Sequence, residues 1–382
     1  MFNRWLTRIV LFCYILLLFL FIRYPHTIVT EIRTVIYLFI DQLLPIFFPF
    51  LILLQLILTN PEKTWFIRWL YPFTKKICQL NHYGTLTTCL SFISSFPLGT
   101  VMVKEGYQNQ QLTKAEAHHL LMFTNQASSI FISTIVVTYL FQTKALGLVI
   151  MVIQWLTNIS LAFLFQFYYR SKHTSRTPNS TLTSRSLTIS TNSDFLFKIA
   201  KTLFTILSMM IIARFIQIIF TSLKLFDFSA QMFTLLLPRT LDPVSIKKML
   251  QAAIELTQGI DLLSITNFNP EILFPVTNAL INFHILSIHM QVYGLIKSTD
   301  LSFEPYLLSR LVAVIISLIF SYVYLLIAQP FHQSEVIPAF IYTKKTKPSQ
   351  YDRTQFSFFQ LMSFSDVTLS NGKRPEISCD VS

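Results

Sequence analysis

The sequence predicts an all-α polytopic membrane protein, with about seven or eight spans or re-entrant hairpins in two inverted pseudo-repeats. Three observations carry this expectation. Of the 382 residues, 53% are hydrophobic and only 13% are charged, and the mean hydropathy is +0.54, whereas soluble domains carry about 25% charged residues. The 30 basic residues outnumber 18 acidic ones and gather beside apolar runs, as cytoplasmic loops require. In each half, full apolar runs surround one weaker segment dotted with polar residues. A soluble globular fold and a disordered chain are both excluded by this composition. The net charge of +12, which would suggest nucleic acid in a soluble chain, is here a marker of membrane orientation.

Residues 9–22 are almost wholly apolar and bracketed by Arg4, Arg8 and Arg23. No small-residue cleavage site follows, so the run reads as a first span rather than a signal peptide. A second span over 36–58 contains Asp41, Pro45 and Pro49, which are tolerated at depth only against protein or a cavity. Between 60 and 82, Trp65, Phe66, Trp69 and Phe73 recur at helical spacing among Lys63, Arg68, Lys75 and Lys76. That pattern suits an amphipathic helix lying in the membrane interface.

Residues 85–103 read as a broken, re-entrant segment because Ser94, Ser95, Pro97 and Gly99 interrupt it. Thr113 and Glu116 have capping-box spacing and start a helix, which is expected to enter the membrane through Phe123, Asn125 and Ser129 and leave near Tyr139. Another span covers 145–168. The Ser- and Thr-dominated stretch that follows can bury nothing and serves as a linker. The second half is expected to hold a span over 203–220 containing Arg214, an apolar stretch at 233–237 and a helical run over 246–263. Spans over 272–296 and 306–328 complete it. With the amino terminus inside, all three basic clusters of the first half fall on one side. The chain thus divides into a first span and interfacial segment (1–34), a first half (35–170), a linker (171–194), a second half (195–328) and a polar tail (329–382).

Three groups of residues stand out. Ser95, Pro97 and Gly99, with Asn125 on the next helix, offer hydroxyl, amide and freed backbone groups at membrane depth. They line a cavity or, alternatively, belong to a Pro-kinked helix glued to its neighbours by hydrogen bonds. Glu255, followed by Thr257, is an acid in an apolar run and marks a functional site by its cost; the alternative is an interfacial acid paired with Lys247, Lys248 or Arg214. The third group is Asn282, His284, Ser287, His289 and Gln291. At 100° per residue His284, Ser287 and Gln291 share a face, with His289 on another side. Arg214 and Arg310 balance Glu255 and Asp41, attract an anionic solute, or snorkel, and snorkelling is the expectation for Arg310.

The chain has no phosphate loop, no dinucleotide fingerprint, no H-E-x-x-H and no G-x-S-x-G, so it does not read as an enzyme. Its four cysteines lack zinc-site spacing. His118 and His119 are consecutive on a helix and face apart, which argues against a metal site. No cofactor is called for.

The run Ser94-Ser95-Phe96-Pro97-Leu98-Gly99-Thr100, then Gly106, Leu112-Thr113, Glu116-Ala117 and Leu120-Leu121-Met122-Phe123-Thr124-Asn125, resembles the G-F-P-x-G … G-x-L-T-x-x-E-A-x-x-L-L-x-F-x-N pattern of sporulation integral membrane proteins of the YlbJ type. Glu255-Leu256-Thr257-Gln258-Gly259-Ile260 is similar to that family's L-E-x-T-x-G-I. Leu286-Ser287-Ile288-His289-Met290-Gln291-Val292 is similar to its L-S-V-H-x-Q-V. This resemblance places the chain with the nucleoside-recognition (Gate) domains and implies a permease for a small organic anion such as dipicolinic acid, at the outer forespore membrane. It departs from the pattern in having Ser95 for a glycine, Ser128-Ser129 for Gly-Pro and His284-Ile285 for Gly-Gly.

The expected solute-binding residues are therefore Ser95, Pro97, Gly99, Asn125, Arg214, Glu255, Thr257, Asn282, Ser287, His289 and Gln291. The expected partners are the lipid bilayer and the solute. H+ or Na+ is a candidate coupling ion, a second copy of the chain is a candidate partner, and nucleic acid is not expected. Two other readings are a nucleoside or ion gate and a membrane scaffold that transports nothing.

Overall fold

The computed structural model describes residues 11, 15, 18–19, 21–59, 65–141, 143–170, 192–236, 242–254, 259–260, 263–264 and 269–331. All of them lie in one compact unit, Met1–Ala339, and every regular element among them is helical. The linker at 171–191, the tail beyond 331, and Glu255 and Thr257 lie outside the described residues.

Helix α1 (Pro25–Leu38) opens with a proline in its first turn, where the missing N–H would have had no helical partner anyway. It continues through a π-helical turn, Phe39–Leu43, into α2 (Leu44–Thr59), which has Pro49 inside it. The expected second span is thus the later part of a longer helix, interrupted at Asp41. Phe47 and Leu51 on α2 are buried, so one face of it meets protein. Helix α3 (Trp65–Cys78) turns Ile67 inward and leaves Trp69, Phe73 and Ile77 exposed beside Lys75 and Lys76. The amphipathic helix that the residue pattern predicts is therefore formed.

The chain then folds into a helical hairpin. Helix α4 (His82–Ile93) is capped by Asn81, whose side chain accepts from the Gly84 N–H at 2.8 Å. It ends at Ser94, and α5 (Leu98–Gln108) returns from the Ser95–Pro97 turn. The capping box at Thr113 forms in full. Thr113 Oγ1 accepts from the Glu116 N–H at 3.2 Å and Glu116 Oε2 accepts from the Thr113 N–H at 2.9 Å, which starts α6 (Lys114–Leu121). The continuous helix expected from there to Tyr139 does not form. Residues 122–128 are non-helical, and α7 (Ser129–Phe131) restarts on the Ser128 hydroxyl before passing into a π-helical segment, Ile132–Phe141. Helix α8 (Lys144–Arg170) closes the first half.

The second half contains α9 (Asn192–Ser222), α10 (Leu225–Leu236), α11 (Pro243–Ala252), α12 (Pro270–Phe283), α13 (Ile285–Ile296) and α14 (Glu304–Ala328). Two expectations are corrected here. The helical run over 246–263 is interrupted after Ala252 by a turn at Ala253 and Ile254, with 259–260 and 263–264 helical again, and a Cβ on Gly259 would come within 2.7 Å of the Ala252 backbone. Gly259 thus lies against the end of α11 at a distance that only glycine permits. The span over 272–296 is broken at His284, whose φ of 69° ends α12 and precedes α13.

Among the described residues, four segments are long and apolar enough to cross a membrane: Lys144–Phe167, Ile199–Ser222, Pro270–Ile296 and Glu304–Ala328. The chain is an integral, multi-pass membrane protein. The largest apolar core joins both halves, placing Phe123, Ile132 and Ile150 with Phe274, Ile281 and Val292. Helix α14 packs on α12 and α8, and α9 packs on α13. These contacts hold the two breaks, 122–128 and His284, close to α14.

Candidate functional site

Breaking a helix frees backbone groups that must find partners when buried. At the first break three carbonyls are taken up by other elements. The Phe96 N–H in the hairpin turn donates to the Gln126 carbonyl at 2.6 Å. Gln154 Nε2 on α8 donates to the Ala127 carbonyl at 3.2 Å. The Arg310 guanidinium on α14 donates through Nη2 to the carbonyl of Met122, the C-cap of α6. Asn125 braces the same place, its Oδ1 accepting from the Thr100 N–H at 3.2 Å and the Thr100 hydroxyl at 2.9 Å. Gly99 is required by closeness, since a Cβ there would overlap the Thr124 carbonyl.

At the second break the free groups are N–H donors at the start of α13. Leu286 and Ser287 donate to the carbonyls of Ala253 and Ile254, each at 3.0 Å. Both His284 (φ 69°) and Ile285 (φ 28°) hold positive φ, a region unfavourable to any side chain and most of all to a β-branched one. These are the two positions where the family pattern has Gly-Gly, and the backbone conformation gives the reason for those glycines.

Arg310 connects the two breaks. Its Nη1 lies 3.0 Å from His284 Nε2, and its Nε donates to Ser309 Oγ at 3.2 Å. A guanidinium can only donate, so His284 Nε2 is the acceptor and the neutral ring carries its proton on Nδ1. That Nδ1–H donates to the Tyr306 hydroxyl oxygen at 3.1 Å. Arg310 is 0% exposed, so the expectation that it snorkels is wrong. Tertiary packing of α14 against both breaks, rather than its place near a span end, sets its environment. Among the described residues no carboxylate pairs with it. Burial of a lone cation costs several kcal/mol, and the negative end of α6 together with three neutral acceptors offsets only part of that.

Other buried polar atoms nearby have no hydrogen-bond partner among the described residues. They include both ring nitrogens of His289, both amide atoms of Gln126 and Asn282 Oδ1. The His289 ring sits edge-on to Phe283, Phe303 and Tyr306, with centroids 5.0, 6.3 and 5.5 Å away. Ser287 and Gln291 share one face of α13 as expected, but His284 does not join them, because the helix begins only at Ile285. Instead, His284 faces Arg310 from the break and His289 faces Tyr306 from α13.

The structure brings Ser95, Pro97, Gly99 and Asn125 to the first break and Asn282, Ser287 and His289 to the second, all buried, with Gln291 buried further along α13. Arg214 is elsewhere. It is buried on α9, its Nε 3.3 Å from Glu31 Oε2 on α1 and its Nη1 donating to Gln217 at 2.7 Å. Among the described residues Glu31 is an ionic partner of Arg214, whereas Glu255 lies outside them. Sequence reasoning misses Tyr306 and the Met122 carbonyl and misplaces Arg310. A signal for Arg310 did exist: Tyr306, Arg310, Ala313, Ser317 and Ser321 form a polar and small stripe at helical spacing on α14, all buried. In a membrane helix such a stripe faces protein.

On one exposed side the loop between α13 and α14 is clamped to the first half. Asp300 accepts from the Tyr107 hydroxyl at 2.7 Å and from Lys114 Nζ at 2.8 Å. The Ser302 N–H donates to His118 Nε2 at 3.0 Å, while His119 on the other side of α6 lies 2.9 Å from the Ala162 carbonyl. The Lys114 and Tyr107 hydrogen bonds hold the Asp300 carboxyl down to about 2.

The chain is similar to the sporulation integral membrane protein YlbJ of Bacillus subtilis (strain 168), with 22% identity over 321 residues, 78% of each chain. It is a divergent relative of that protein, as its motifs led us to expect. No family model matches the chain, and no solved structure matches it.

Proposed function

We propose that this protein is a permease that carries a small organic anion across the membrane between the two helix breaks. One observation supports this reading above the others. Two hydrophobic segments are interrupted, both within reach of Arg310, and buried polar groups of Gln126, Asn282 and His289 have no partner among the described residues. A purely structural core avoids this, because each such group costs about 1–3 kcal/mol. A transporter keeps such groups for its solute, and discontinuous helices are the means by which many transporters build a site at mid-membrane.

Kinship with a sporulation protein favours the forespore membrane as the setting, and dipicolinic acid is the first solute to try. Coupling to H+ or Na+ belongs to the same reading. The test is accumulation of dipicolinic acid in spores of cells that depend on this protein, comparing wild type with Glu255→Gln and with His289→Ala at the second break. Accumulation should fall severalfold in both variants. Unchanged accumulation in both would overturn the permease reading.

A further inference from the structure

We infer that Arg310 is the residue that receives the anionic group of the solute, and that the ligand class is a small carboxylate. The inference rests on the permease reading for its biological meaning, but it concerns binding and can fail separately.

The argument starts from charge. Arg310 is completely buried, and its partners, Met122 O, His284 Nε2 and Ser309 Oγ, are all neutral. Among the described residues no acid balances it, although a buried cation in a protein core normally has one. Of the five guanidinium N–H donors, three are engaged. Among the described residues one N–H on each terminal nitrogen has no acceptor, which matches the two oxygens of a carboxylate.

The surroundings would complete such a site. Gln126 and His289 both have buried polar atoms without a partner among the described residues, and short chains of contacts lead from them to His284, which bonds Arg310, and to Tyr306, whose ring lies 5.7 Å from the Arg310 guanidinium. Gln126 is bonded to Phe96, whose ring lies 5.7 Å from that of His284, and the His289 ring lies 5.5 Å from that of Tyr306. Because Arg310 bonds one break through Met122 and the other through His284, an anion taken up by its free donors would act on both halves. The rival assignment is a structural cap for the end of α6. A cap needs a donor there, but it gives no preference for anionic over neutral small molecules.

The test uses the purified full-length protein in detergent with acetate, benzoate and pyridine-2,6-dicarboxylate, each compared with its own amide. A saturable rise in the thermal unfolding midpoint is expected for at least one carboxylate and not for its amide. Arg310→Lys should weaken that binding about tenfold or more, since it keeps the charge but loses the fork, and Arg310→Gln should abolish it. If the variants fail to fold, the wild-type contrast between carboxylate and amide decides alone. Equal response to acids and amides, or folded variants that bind like wild type, would overturn the proposal. Vesicle flux of the same carboxylates separates the two claims. Arg310-dependent binding without flux supports the anion site and counts against the permease, whereas flux indifferent to Arg310 overturns the anion site alone.

Discussion

The backbone N–H of Phe96 donates to the Gln126 carbonyl at 2.6 Å, fastening the turn of one helical hairpin to the interruption of the next helix. Every group that packs into this junction is constrained by it. Gly99 is the tightest case, having backbone rather than a movable side chain where a Cβ would sit. Gly99→Ala should therefore destabilise the protein by about 1–3 kcal/mol, the usual cost of overpacking. Gly84→Ala should cost less, because the added Cβ meets only side-chain atoms of Leu80 and Asn81, at 3.2 Å and beyond. Thermal unfolding in detergent compares the two, and equal losses would contradict the close approach.

Ile285 at φ 28° and Ile288 in regular helix are both buried, so replacing either by glycine removes similar apolar contact. Only at Ile285 does the replacement also relieve backbone strain, on the order of 1–3 kcal/mol. Ile285→Gly is expected to be the milder change by about that amount in an unfolding titration. An Ile285→Gly variant as unstable as Ile288→Gly would show that no strain is held there.

The Asp300 clamp makes a prediction about pH. Its carboxyl is held down to about 2 by hydrogen bonds from Lys114 and Tyr107, against an unfolded value near 3.9. A depressed carboxyl gives its full contribution above the unfolded value and loses it as pH falls through the folded one. The clamp is thus complete at neutral pH and weakens only from about pH 4 towards 2. Titrating the Asp300 carboxyl by NMR should show a midpoint near 2, moving up in Lys114→Ala; an unmoved midpoint would mean that Lys114 is not its partner in solution.

Arg214 and Glu31 should behave as one unit. Arg214 is buried while Glu31 is about one-third exposed, so removing either alone leaves the other poorly compensated. A double-mutant cycle with Arg214→Gln and Glu31→Gln should give a coupling of about 1 kcal/mol. Additive losses would refute the pair.

Much of the first half was legible because its signals are local. The capping box at Thr113, the amphipathic pattern of α3 and the Ser95–Pro97 turn each depend on residues a few positions apart, and each formed where the sequence placed it. The second half was less legible. Helical periodicity assumes an unbroken helix, and the left-handed backbone at His284 carries no mark when the residue is not glycine.

The sequence by itself determined the membrane class, most of the helical elements, the broken turn at Ser95–Pro97 and the kinship with YlbJ, since all of these follow from composition, caps and ordered motifs, whereas the breaks at 122–128 and His284 emerged only in the fold. Only the tertiary structure decided the fate of the charges. Arg310 reaches the Met122 carbonyl across 188 residues and His284 across 26, and Arg214 finds Glu31 on a distant helix. The cost of burying a charge is set by what surrounds it in three dimensions. A basic residue near a span end can therefore snorkel or sit buried at a junction, and which of these occurs depends on the packing of α14 against both breaks.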